Sequence, residues 1–462
     1  MRRFAPALLA LLAACGPSAT PARETLAEVA GWPAPILFVL VDTLRADHTS
    51  LHGYERDTTP FLSELAESSI VFDRAQATSS WTRPSVASLF TARLPEAHGC
   101  EDRQGFLSES LTLLPEALHA VGYETRGVIS NGQISDVWGF DQGWDDYRFV
   151  KRRPLLEYTD AGLLELFVTQ AIDLLAPPPF FLYLHYVDPH SPYVLHPEHE
   201  WDPEYDGTFN GEMATLEPFR HRTPSPANRQ RIVDLYDGEV AYLDRHMRRL
   251  FDDLETRGLL DKCWVVITSD HGEGLWDHGE MGHAGEVFQE QLHVPLLIRP
   301  PGGLETPMRV PERFSLIDLA PTLVQLVGVK PPAEWDGLSW ASHLAGNAPP
   351  PVRPVITDEE VDGKRLAVIV DGPWKLVVDL ESGERTFYDL DRNPDELDSL
   401  AIDPLETPHA EAERLERELS LTLSGAARRR PPDAVLPADQ PFQLPPDVAA
   451  QMEALGYVGG DR

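Results

Sequence analysis

Ile36-Leu37-Phe38-Val39-Leu40-Val41-Asp42 decides the fold. An unbroken run of apolar, partly β-branched residues predicts a strand covered on both faces, as in a parallel sheet. Asp42 closes it, and open α/β sheets bind ligands at the C-terminal ends of their strands. Two later runs have the same form. Phe180-Phe181-Leu182-Tyr183-Leu184-His185-Tyr186-Val187 passes into Asp188-Pro189-His190, and Trp264-Val265-Val266-Ile267-Thr268 passes into Ser269-Asp270-His271-Gly272-Glu273. Val294–Arg299 is a fourth strand, and Pro295 within it predicts a place toward the sheet edge. Apolar residues from Ile232 to Leu254, recurring at three and four, predict a long amphipathic helix stopped by Gly258. The expected architecture is α/β, with a large, mostly parallel central sheet flanked by helices.

The chain has 462 residues, 42% of them hydrophobic, enough for one large domain and a small one. A net charge of -35 argues against a nucleic-acid partner and for a solvated surface. Met1-Arg2-Arg3 and the short apolar run Ala5–Ala14 read as an export signal, too short to span a bilayer. Its end, Leu12-Ala13-Ala14-Cys15, resembles the bacterial lipobox. That resemblance implies cleavage before Cys15, lipidation of its thiol and a lipid-anchored place in the cell envelope. Cys100 and Cys263 remain, and spacing does not say whether they pair.

The expected segments are a signal peptide at 1–14, a tether at 15–34, a catalytic domain at 35–350, a small antiparallel subdomain at 351–400, and a Pro-rich tail with a terminal helix at 401–462. The subdomain rests on a hairpin with an Asp371-Gly372 turn and a third strand at Thr386–Leu390. Residues 401–445 read as a loosely wrapping stretch, and 195–228 as an active-site flap.

Ser79-Ser80-Trp81-Thr82-Arg83-Pro84-Ser85 reads as a loop turning into a helix, with Thr82 just outside the N-terminus. A hydroxyl beside unpaired helix N–H groups is a candidate nucleophile. Asp42, Asp270, His271 and Thr82 together suit one divalent cation, Ca²⁺, Mn²⁺ or Zn²⁺. His190 is the candidate proton donor, with His283 and Arg83 as neutralising groups for anionic oxygens. Any one of these residues could equally be a helix cap or a hydrogen-bonded loop residue; only their joint placement at strand ends points to a site.

In the stretch Phe38–Asp47, in Pro84–Thr91 through His98-Gly99, and in Asp188–Tyr193, Thr268–Glu273, His293–Leu296 and Phe387–Leu390, the chain resembles the sulfatase family of the alkaline phosphatase superfamily. The resemblance implies a metal at the sheet's C-terminal edge and an anionic ester substrate, whether glycan, lipid or small molecule. It also shows departures. Thr82 stands where the family carries the Cys or Ser converted to formylglycine, and Val86 where it carries Arg. Thr43 replaces the second acid of an Asp-Asp pair, and Ser130-Asn131-Gly132 replaces a segment with a Lys and a His. Thr43 and Asn131 are therefore the candidate substrate-binding residues. A Thr nucleophile resembles instead the phosphoethanolamine transferases and lipoteichoic acid synthases.

The expected function is a metal-dependent hydrolase of sulfate or phosphate esters working through Thr82. The alternatives are a phosphoethanolamine- or phosphoglycerol-type transferase, a non-catalytic glycan-binding lipoprotein, and a two-metal phosphatase drawing on His278 and His283.

Overall fold

The computed structural model describes residues 33–150, 160–175, 179–361, 363–401, 407–434, 444–455 and 457. The strands, in chain order, are β1 (Ile36–Val41), β2 (Ile70–Gln76), β3 (Glu124–Ile129), β4 (Asp146–Phe149), β5 (Phe180–Tyr186), β6 (Trp264–Ser269), β7 (Gly274–Leu275), β8 (Met281–Gly282), β9 (His293–Arg299) and β10 (Met308–Ser315). The C-terminal strands are β11 (Val355–Val361), β12 (Lys364–Asp371), β13 (Trp374–Asp379) and β14 (Arg385–Asp389). Eight strands form the main sheet in the order β10-β2-β9-β6-β1-β5-β3-β4. Only the two pairings of β9 are antiparallel.

β1 lies between β5 and β6, with Leu40 opposite both His185 and Thr268. This register brings the C-terminal ends of the three most apolar strands level. Asp42, Asp188 and Asp270 therefore leave the sheet along one edge. Both faces are covered, which is why the runs do not alternate. Ile36, Phe38 and Leu40 pack in the core that holds Leu89 and Phe90 of the Thr82–Thr91 helix. Leu37, Val39 and Val41 pack in the opposite core with Leu235, Leu243 and Met247 of the Pro226–Thr256 helix.

β9 is interior, between β2 and β6, not toward an edge as Pro295 suggests. The missing N–H costs no ladder bond because β2 shifts register between Phe72 and Ala75, opposite Pro295. The Pro295 carbonyl still accepts from Thr268 Oγ1 at 2.8 Å.

The small antiparallel sheet has the order β11-β12-β13-β14, one strand more than its turn signals reveal. The stretch expected to wrap loosely contains a helix, Thr407–Ala427. Its buried Ala412, Leu415, Leu419 and Leu423 fall at spacings of three and four, and pack with Ile369, Leu376 and Phe387. The dense charges between them mask that stripe in the sequence. Cys100 and Cys263 are both buried and free. Cys15 and the tether up to residue 32 lie outside the described residues.

Candidate active site

The loop that carries Thr82 is held from three sides. Glu359 of β11, buried, accepts from Ser79 Oγ at 2.5 Å and from the Ser80 N–H at 2.8 Å. The Ser80 carbonyl accepts from the Ala284 N–H at 3.0 Å. Ser85 Oγ donates to the Asp270 carbonyl at 2.6 Å. The helix then begins at Thr82 itself, with Trp81 as its N-cap, one residue earlier than the expected start just after Thr82.

Thr82, Asp42, Asp270 and His271 are brought together, all without solvent exposure. Asp42 Oδ2 accepts from Asn131 Nδ2 at 2.6 Å, and Asp270 Oδ1 from the His271 N–H at 2.8 Å and the Thr43 N–H at 3.3 Å. The other oxygens, Asp42 Oδ1 and Asp270 Oδ2, have no hydrogen-bond partner. His271 Nε2 lies 3.7 Å and 3.5 Å from those two free oxygens. His271 Nδ1 donates to the Gly272 carbonyl at 2.8 Å, leaving Nε2 bare to accept from Thr82 Oγ1 at 3.2 Å. Burial pushes both carboxyls above the ordinary range; the Asp270 charge adds to the shift at Asp42, whereas His271 and the N–H groups of His271 and Thr43 oppose it at Asp270. Two orphaned buried carboxylate oxygens, a bare imidazole nitrogen and a hydroxyl are the donor set of a divalent cation, and these residues fit one.

Thr43 adopts a left-handed φ of 57°, unusual for a β-branched residue. Tyr236 Oη donates to its carbonyl at 2.7 Å, and the Asp270 carboxylate holds its N–H. Its buried Oγ1 has no partner. The structure thus places Thr43 behind Asp270, and makes Asn131 a support of Asp42.

His190 and His283 face Thr82 from the opposite side, their ring centroids 4.8 Å apart. His190 Nδ1 donates to the Ser191 carbonyl at 2.5 Å, so neutral His190 presents a bare Nε2 inward. Burial, aided by His283, pushes its pKa down to about 3. Glu273 accepts from His283 Nδ1 at 3.0 Å and from Tyr193 Oη at 3.2 Å, which fixes the orientation of the His283 ring. Arg83 is not aimed at this cluster. Its guanidinium donates to the carbonyls of Asp102, Arg103 and Gly105 and to Gln133, and lies 3.4 Å over the Trp138 ring. Both terminal nitrogens are engaged there, Nη1 by the loop at 102–105 and Nη2 by Gln133. His278 is likewise committed, to Glu290 at 2.6 Å and to stacking on Phe288.

Three participants are not apparent from motif spacing. Glu273 reads as a turn residue, and His185 hides inside an apolar strand. Tyr457 comes from the far C-terminus. Its hydroxyl lies 2.9 Å from His190 Nε2 and 3.3 Å from both Thr82 Oγ1 and His283 Nε2. The helix before it, Pro446–Ala454, docks on the loop at 130–134: Gln451 donates to the Ser130 carbonyl, and Val448 and Met452 pack over Gly132. The phenol occupies the space between Thr82, His190 and His283. Tyr457→Ala is expected to bind inorganic phosphate roughly ten-fold more tightly, since three competing contacts of about 0.5 kcal/mol each are removed. Calorimetric titration checks this; equal or weaker binding would show that the phenol does not compete.

The sulfatase family model matches residues 35–329, and that for the N-sulphoglucosamine sulphohydrolase C-terminal region matches 279–422. The choline-sulfatase of Rhizobium meliloti (strain 1021) is 25% identical over 433 residues, covering 80% of this chain and 82% of that protein. The phosphonate monoester hydrolase of Agrobacterium radiobacter superposes with a TM-score of 0.70 at 19% identity, over 85% of this chain and 96% of the other. That of Silicibacter pomeroyi gives 0.68 at 22%, over 86% and 96%. With the first match spanning the whole main sheet and the site at its edge, the chain belongs to the sulfatase family of ester hydrolases.

Proposed function

We propose that the protein is a metal-dependent hydrolase in which Thr82 is the nucleophile and phosphate esters are better substrates than sulfate esters. The observation that carries this is the Thr82 hydroxyl, 3.2 Å from His271 Nε2 at the mouth of the Asp42–Asp270 pair. A bound divalent cation would neutralise the two carboxylates and lower the pKa of that hydroxyl. Thr82, its proton released to solvent, attacks phosphorus through Oγ1, and the bond to the leaving oxygen breaks. His190, on the facing wall, gives the leaving oxygen a proton and later takes one from the water that attacks phosphorus, which breaks the bond to Oγ1 and returns Thr82. Neutral in the free protein, His190 becomes a donor only beside an anionic ester, whose charge raises its pKa. His283, backed by Glu273, polarises a second ester oxygen.

The preference for phosphorus follows from the nucleophile. Threonine carries a single hydroxyl, whereas a formylglycine hydrate carries a second one that expels sulfate from the intermediate. A phospho-threonine needs no such help, because water or an acceptor alcohol attacks phosphorus directly. An alcohol acceptor in place of water would make the same site a transferase.

The test is a panel of aryl sulfate, phosphate monoester, phosphodiester and phosphonate monoester with Zn²⁺, Mn²⁺ or Ca²⁺ added. Turnover of a phosphorus ester well above that of the aryl sulfate is expected. Preferred sulfate turnover would overturn the proposal.

We further propose that the mature protein is lipid-anchored through Cys15. Among the described residues no helix is long and apolar enough to cross a membrane, and the lipobox supplies the alternative attachment. The wild-type protein is expected to partition into the detergent phase, and Cys15→Ser to be released or left unprocessed. A variant that fractionates like wild type would sink the anchor.

A further inference from the structure

His185 is the penultimate residue of β5, opposite Leu40 of β1 and Ile129 of β3. Strand alternation turns its ring to the face that carries Tyr183, the face covered by the Thr82–Thr91 helix. The ring has no solvent exposure, and neither of its nitrogens has a hydrogen-bond partner. Such a group is rare in a folded interior, and each unpaired nitrogen costs about 1–3 kcal/mol. The ring stays in place although Phe or Leu would fit an apolar strand with no such penalty.

Its surroundings explain it. His185 Nε2 lies 3.8 Å from Asp42 Oδ2. Asp42, His185 and Asp270 each offer a donor atom, and the three atoms lie within 4.8 Å of one another.

We propose that His185 is a metal ligand that completes the Asp42–Asp270–His271 site. It takes the place of the carboxylate that Thr43 does not provide. The inference rests on those three residues forming a metal site. Two imidazoles with two carboxylates favour Zn²⁺ or Mn²⁺ over Ca²⁺, which takes six to eight oxygen ligands.

Removing an unpaired buried polar group and removing a metal ligand have opposite signatures, and both can be read without activity. In His185→Leu the metal-free protein is expected to melt at or above the wild-type temperature. Zn²⁺ affinity, from competition with a chromophoric chelator, should fall about 10- to 100-fold or more, and the Zn²⁺-induced rise in melting temperature should shrink accordingly. Wild-type affinity in this variant would overturn the proposal and leave His185 as a core residue. ¹⁵N-histidine spectra of the wild-type protein give a second reading that needs no stable leucine variant. Zn²⁺ should shift the ring nitrogens of two buried histidines, one of them absent in His185→Gln; a shift of His271 alone would overturn the proposal. Failure of the wild-type protein itself to bind Zn²⁺ or Mn²⁺ would instead bring down the underlying metal site, a result distinct from a site that binds metal without His185.

Discussion

Thr82→Ala is expected to lower turnover of every ester the protein hydrolyses by at least about 10³-fold, or ~4 kcal/mol of barrier. The fold should tolerate the change. Thr82 is fully buried at the first turn of its helix, and alanine gives up its small Cγ2 methyl and the Oγ1 contacts to His271 and Tyr457 without adding bulk. Losing such contacts costs about 1 kcal/mol, so circular dichroism and melting should change little while kcat collapses. Slow turnover with Thr82 intact should leave a phosphorylated peptide containing that residue, visible by mass spectrometry. Thr82→Ser should retain activity, because the hydroxyl and its place over His271 survive. Efficient hydrolysis by the alanine variant would remove Thr82 from the reaction and with it the preference for phosphorus esters.

Asp270→Asn is expected to weaken divalent-metal binding by at least about 100-fold, ~3 kcal/mol, and to reduce activity with it. The amide is isosteric, and its Oδ1 still accepts from the His271 and Thr43 N–H groups, so the loop keeps its shape. What is lost is the charge on the free oxygen facing Asp42. Stability of the metal-free protein should move the other way. Burial raises the folded-state pKa of both Asp42 and Asp270 above the ordinary carboxylate value, so folding disfavours their charged forms. Such a group costs no stability below its unfolded pKa, and the cost grows as pH rises from there toward the folded pKa. The metal-free protein therefore carries a growing cost as pH rises above the unfolded carboxylate pKa, and Asp270→Asn should relieve part of it. The expected pattern is a higher melting temperature without metal and a smaller gain on adding Zn²⁺. Unchanged metal stoichiometry by elemental analysis would take Asp270 out of the site.

The features that sequence alone determined are those governed by short-range chemistry. The run Ile36–Val41 reads as a doubly covered strand because no residue in it could face water cheaply. Asp42, Asp270 and His271 are legible because each directly follows such a strand, and strand C-termini in a parallel sheet share one edge. Thr82 is legible through the helix-start signals around Pro84. Tertiary structure decided what depends on distant partners. Pro295 is interior because a bulge in β2, two hundred residues earlier, absorbs its missing N–H. Arg83 stands beside Thr82 in sequence, yet its guanidinium turns to the loop at 102–105, Gln133 and the Trp138 face, a direction that no local pattern encodes. His185 looks like an oddity within an apolar strand until β1 and β6 set Asp42 and Asp270 beside it. Tyr457 reaches Thr82 across 375 residues of chain through a helix whose docking on the 130–134 loop is settled by packing. Spacing along the chain carries information about neighbours within a turn or a strand. Which buried donors are left unpaired, and so free for chemistry, depends on every element that folds against them.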